Sequence, residues 1–286
     1  MSAPSAFAEA TLSGEIQLGV VNKIELDMDG STFNFGLGME EDMGNGMTGF
    51  FYANFVHDQA NEEPAGNILN DESYIGVKVD FGTVTLGNQS DAAEFACGGT
   101  DIFNYNGGAA CGQGAFNDSL SNAATYANTF GAATIVVGVT IDGSNTGGAN
   151  PAPGDHTIVA FNFEGEGFKI GAQMTSPDSA LNIDDWTVIG GTMTFGEIVV
   201  GLTFGDGVSA DSTVGVGVII PMAGGELVAA VDTGDGIDDE TNIEFHKSLS
   251  ENMYAGIEFT TWDVDPDDMV GIYLEMTFQS FTSSNR

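Results

Sequence analysis

Two-residue periodicity dominates this chain and leaves few folds open to it. Val270, Ile272, Leu274, Met276 and Phe278 form one row; Gly271, Tyr273, Glu275 and Thr277 form the other. Ile135, Val137, Val139 and Ile141 alternate in the same way with Val136, Gly138 and Thr140. Phe33, Phe35, Leu37 and Met39 stand opposite Asn34, Gly36, Gly38 and Glu40, and rows at 198–204 and 214–220 repeat the pattern. Successive side chains of a strand point to opposite faces, so each row meets its own environment. Sixteen such strands are expected, beginning near Thr11, Thr32, Met47, Ser73, Thr83, Ala123, Ala133, His156, Phe168, Trp186, Glu197, Thr213, Glu226, Thr241, Tyr254 and Met269.

The connections discriminate between all-β architectures. Those after even-numbered strands are short: Glu41–Gly46, Phe81–Gly82, Phe130–Gly131, Glu164–Gly167, Phe195–Gly196, Met222–Gly225 and Ser250–Met253. Those after odd-numbered strands are longer and acidic, among them Asp58–Asp71, Ser90–Leu120, Asp142–Asp155 and Asp232–Glu240. The first hairpin is the exception, because Asp29-Gly30 reads as a tight two-residue turn. A soluble sandwich has no reason to alternate its loop lengths. An up-and-down transmembrane barrel does, with short turns on one side of the membrane and long loops on the other. Its outward rows carry almost no charge, as hydrocarbon requires, while its inward rows are small, polar or acidic. Lys247 shares the phase of Ile243, Phe245 and Leu249, close to a strand end where a lysine can snorkel.

Composition narrows the function. Of 286 residues, 42 are Asp or Glu and 5 are Lys or Arg, a formal charge of -37 that repels phosphate backbones and excludes nucleic acid. The 41 glycines against 7 prolines suit close-packed strands and tight turns. The two cysteines and the scattered His57, His156 and His246 offer no metal-ligand spacing. No nucleophile elbow, His-Glu-x-x-His or P-loop occurs, so no enzymatic activity and no catalytic residue is expected.

Several segments resemble one family. Ser31–Gly36 (STFNFG) and Glu41–Met47 (EDMGNGM) resemble the second strand, first turn and third strand of Gram-negative general porins. Tyr74–Gln89 (YIGVKVDFGTVTLGNQ) is similar to their fourth and fifth strands, and Leu249–Gly256 (LSENMYAG) to their last periplasmic turn. The resemblance implies a homotrimeric outer-membrane barrel of sixteen antiparallel strands, its third loop folded into the lumen. It further implies a water-filled channel for passive diffusion of small hydrophilic solutes and ions, in contact with lipopolysaccharide.

The segment Ser90–Leu120 occupies the third-loop position, and its Asp91, Glu94, Asp101 and Asp118 would supply the acidic side of a constriction. The family's opposing wall is basic. Here the matching positions are Thr32, Asn88 and Ala127, leaving Lys78 as the obvious lumen cation, with Lys23 and Lys169 as further candidates. Rings of acids with little opposing charge favour cations, so a cation-preferring pore is expected. An exported chain passes an oxidising compartment, so Cys97 and Cys111 are expected to pair within this loop, with a stabilisation of roughly 3 kcal/mol.

More than half of the acidic residues fall in the connections after odd-numbered strands, the first hairpin included, among them the clusters Asp232, Asp235, Asp238, Asp239, Glu240 and Asp263, Asp265, Asp267, Asp268. Both clusters are expected on the outer face, where Ca²⁺ or Mg²⁺ could associate weakly; no specific cofactor or metal site is expected. Residues 1–9 read as the remnant of an export signal or a tail, 10–281 as one barrel domain with its constriction loop at about 90–120, and 282–286 as an extension beyond the family's usual terminal phenylalanine. Two other readings stay open: a non-transporting outer-membrane barrel serving as adhesin, receptor or structural protein, and a secreted calcium-binding β-sandwich.

Overall fold

The computed structural model describes residues 9–23, 25–28, 31–58, 68–100, 102–103, 119–141, 156–177, 185–206, 212–235, 238–263 and 268–282. The chain runs through β1 (Glu9–Asn22), β2 (Leu26–Asp27), β3 (Thr32–Gly44), β4 (Met47–Asp58), β5 (Leu69–Val79) and β6 (Gly82–Ser90). A single helical turn, α1 (Glu94–Cys97), precedes β7 (Ser119–Phe130), β8 (Ala133–Thr140), β9 (His156–Gly165), β10 (Phe168–Pro177) and β11 (Trp186–Phe195). The remaining strands are β12 (Ile198–Asp206), β13 (Thr213–Met222), β14 (Gly225–Gly234), β15 (Glu240–Ser250), β16 (Met253–Trp262) and β17 (Met269–Thr282). Apart from the two-residue β2, sixteen long strands each pair antiparallel with their sequence neighbours. The ring closes where β1 meets β17, from Ala10↔Thr282 to Asn22↔Val270. Closure leaves no unpaired edge, which is what allows a sheet to stand in lipid.

The two rows read from the sequence are the two faces of this wall. Ile272 and Leu274 are 61% and 51% exposed on the outside, whereas Tyr273 between them is 1% exposed inside. Every strand start lies within four residues of its expected position. Two-residue turns join β3 to β4, β5 to β6, and the later pairs at the same end. At Asn45-Gly46 both residues have positive φ, 56° and 76°, the twist that a two-residue hairpin demands. Lys247 is exposed in the outward phase, three residues from the end of β15.

The first hairpin departs from expectation. β1 pairs back onto β2 through Val21↔Asp27 and Asn22↔Leu26, so the reversal lies between Asn22 and Leu26 rather than at Asp29-Gly30. Before β3 begins, Ser31 anchors the chain: its hydroxyl accepts from the Gly19 amide at 3.1 Å and donates to the Gly19 carbonyl at 3.2 Å. Asp29, Gly30, residues 1–8 and residues 283–286 lie outside the described residues.

Candidate functional site: the barrel interior

Residues 91–100 turn into the barrel and lie across the inner faces of β10 to β13. Asp91 begins the turn. Its side chain accepts from the Ala93 amide at 3.2 Å and its carbonyl from the Glu94 amide, also at 3.2 Å. Ala93, Ala96 and Cys97 then pack with Val188 of β11 in a small apolar cluster. The wall beneath is glycine. Gly171 and Gly190 are direct ladder partners, as are Gly201 and Gly217. A methyl group at Gly190 would strike the Ala96 carbonyl, and one at Gly201 or Gly217 would strike that of Gly99. Thr100 closes the seat: its hydroxyl lies 2.9 Å from that of Thr203 and its side chain meets Gly215. Glycine here serves close backbone approach, since no residue with a Cβ fits between the two layers.

The expected constriction residues have distinct fates. Asp91 is buried, 5% exposed, and shapes the inner segment instead of facing the passage. Glu94 is exposed on α1. Lys78 points inward from β5, together with Tyr74 and Gly76, and lines a cavity with Glu40, Tyr52 and Thr83. Ala127 is ladder partner to Thr83 on the same inner face, and Thr32 stands inward at the long-loop end of β3, paired with Gln17. Asn88 shares the outward phase of Val84 and Leu86. Its side-chain oxygen accepts from the Asn122 amide at 3.0 Å, where φ of Asn122 is 52°, so it satisfies a bulge in β7 rather than the passage wall. Lys169 faces inward, pairs with Glu164 at 3.1 Å and sits 6.0 Å from the Phe95 ring. Lys23 lies at the long-loop end, 4.6 Å from the Trp262 ring. Cys97 is buried and disulfide-bonded; Asp101, Cys111 and Asp118 lie outside the described residues.

Sequence reasoning missed two features. One is the glycine seat, foreshadowed by glycines at inward positions of four consecutive strands. The other is an acidic wall on β14 to β17. Asp232 and Glu240, assigned from sequence to an outer-face cluster, are instead buried ladder partners on the inner face, 0% and 4% exposed. Glu244 and Glu258 are likewise ladder partners, 0% and 1% exposed. The Tyr273 hydroxyl donates to Glu244 at 2.6 Å, His246 Nδ1 lies 2.7 Å from the same oxygen, and His246 Nε2 lies 3.1 Å from Glu226. Thr260 donates to Glu258 at 3.3 Å. Like charges directly across a ladder repel, and at Glu244 and Glu258 these hydrogen bonds are set against that repulsion.

Comparison with known proteins agrees with this geometry. A family model described as Gram-negative porin matches residues 1–257. No curated protein matches the chain. Among solved structures, the fold is similar to Salmonella typhi OmpF in complex with daunomycin, with a TM-score of 0.77 and 12% identity over 95% of this chain and 97% of that one. It is also similar to a mutant of Rh. blastica porin, with a TM-score of 0.72 and 13% identity over 94% of this chain and 100% of that one. A loop-deletion mutant of OmpT, an outer membrane protein of Vibrio cholerae, gives a TM-score of 0.72 and 13% identity over 95% and 99% of the two chains. With the family match over most of its length and a closed sixteen-strand wall around an inward-folded segment, the chain belongs to the Gram-negative porins and is an outer-membrane channel protein.

Proposed function

We propose that the channel passes small hydrophilic solutes and prefers cations. The observation that carries this reading is the inner-face charge balance. Glu15, Glu226, Glu244, Glu258 and Glu275 stand in the inward phase of β1 and β14 to β17, with Asp232 and Glu240 above them. The lysines in the inward phase, among the described residues, are Lys78 and Lys169, and Lys169 is already paired with Glu164. Confined water between low-dielectric walls focuses such a field instead of screening it away, and rows of carboxylates favour cation entry. Glu94, exposed on the inner segment, adds to the same sign. Purified protein in a planar bilayer under a KCl gradient should give a reversal potential of cationic sign; a value at zero or of anionic sign overturns the preference. The homotrimer typical of the family and loose divalent binding at Asp235, Asp238 and Asp239 belong to the same proposal. Cross-linking in detergent and calcium-dependent stability measure them.

A further inference from the structure

A third part of the interior is lined by aromatic rings and, among the described residues, by none of the inner segment. On β4 and β5 the inward side chains include Phe50, Tyr52 and Tyr74. Phe50 faces Gly76 directly across the ladder, and a methyl there would collide with its ring. The Tyr52 ring lies over Gly36, with its Cδ2 3.6 Å from where a methyl on Gly38 would stand. These glycines let the rings lie down on the sheet rather than stand away from it. Tyr52 and Tyr74 have centroids 5.6 Å apart with planes inclined at 38°; Phe50 meets Tyr74 edge-on at 6.3 Å. All three rings are half-buried and border a cavity of ≈ 500 Å³, whose rim carries Ser13, Glu40, Lys78, Thr83 and Gln279.

We infer that this patch is a stacking site for pyranose sugars on their way through the barrel. A ring sugar has an apolar face of C–H bonds, slightly positive at hydrogen, and a rim of hydroxyls. The first matches the negative face of an aromatic ring. The second matches a rim that supplies donors from Lys78, acceptors from Glu40, and both from Ser13, Thr83, Gln279 and the tyrosine hydroxyls. The cavity falls within the ~300–1,000 Å³ usual for small-molecule sites lined by aromatics with a few polar groups. Lys78 opposes an organic cation and Glu40 opposes an anion, whereas a neutral polyol meets neither penalty. Its entry is also indifferent to the negative field of the lumen. The site adds saturable retention to what would otherwise be simple diffusion.

Single-channel recording of the full-length protein in KCl tests this with cellotriose against a poly(ethylene glycol) of matched hydrodynamic size, which has no pyranose face. Cellotriose should produce current interruptions that saturate with concentration, and the polymer should not. Tyr52→Ala and Tyr74→Ala should weaken the apparent sugar affinity about tenfold each, equivalent to about 1.4 kcal/mol, while Tyr52→Phe, which keeps the ring, should retain most of it. Equal, non-saturating reduction of current by both solutes in the wild-type protein overturns the site without recourse to any variant. So does undiminished block in alanine variants that retain heat-modifiable mobility.

Discussion

Replacing Gly201 by alanine asks whether the inner segment is held by its seat. The added Cβ would overlap the carbonyl of Gly99, a backbone group that cannot swing aside as a side chain does. Nonbonded carbons settle at about 3.5–4.0 Å, so the segment must rise from the wall by roughly 1–2 Å. Rising strains the 2.9 Å contact between Thr100 and Thr203, a bond worth about 0.5–1.5 kcal/mol. It also opens the fit of Ala96 against Gly171 and Gly190. Overpacking a fitted site costs about 1–3 kcal/mol, which shifts the ratio of seated to lifted segment by about 5- to 150-fold. A lifted segment lies nearer the barrel axis, so single-channel conductance should fall and open-state noise should grow. Gly98→Ala is the control: its methyl meets only the Glu94 carbonyl, at an ordinary 3.7 Å, and wild-type traces are expected. If Gly201→Ala conducts like wild type, the glycine wall does not position the segment and the reasoning fails.

Other consequences can be measured alongside. Cys97 is disulfide-bonded and its expected partner is Cys111; a non-reduced digest should yield the linked peptides, reduction should cost about 2–4 kcal/mol of stability, and two alkylatable thiols in the native protein would contradict the pairing. Leu274→Arg places a charge on the lipid face and should cost about 2–4 kcal/mol in urea titrations of vesicle-inserted protein, less if the position lies near an interface. Tyr273→Phe and His246→Phe each remove a group bonded to Glu244 Oε1. Each should lower stability by about 1.5–3 kcal/mol, and the double variant should depart from additivity by about 0.5–3 kcal/mol. Simple additivity in thermal conversion of the folded band would show that Glu244 is not their common partner.

The barrel was legible because lipid imposes its pattern residue by residue. Val270 to Met276 could be read as a strand with an outer and an inner face before any partner was known, and the alternation of short turns with long connections set the topology. What could not be read was how inner residues meet across the lumen. Asp91 looked like a pore-lining acid because its segment sits in the third loop, yet its side chain is spent on the Ala93 amide. Asn88 looked like a wall residue by motif, but the bulge around Asn122 takes its side-chain oxygen. Asp232 and Glu240 looked like outer-loop acids because they flank an acidic run, whereas β14 and β15 extend far enough to pair them on the inner face. Pairing between strands decides the last two, and periodicity within one strand carries no information about it; Asp91 is decided by the turn its own segment makes into the barrel.

The interior therefore divides by residue type, and the division explains how one enclosed sheet can be both packed and open. Where the inner segment must lie against the wall, β10 to β13 offer glycine and threonine, which leave room for backbone and return a hydrogen bond through Thr203. Along β14 to β17 the wall offers carboxylates held by Tyr273, His246 and Thr260, and Ile102 of the inner segment borders a cavity with Glu226, His246 and Glu275 of this wall. The third sector, β3 to β5, uses glycine for a different end: Gly36 and Gly76 accommodate rings, not backbone, beside Lys78 and Glu40. Adding side chains to the seat would drive the segment into the passage. The outer rows can vary among apolar residues without touching either property, because among the described strand residues it is the inward ones that line the interior.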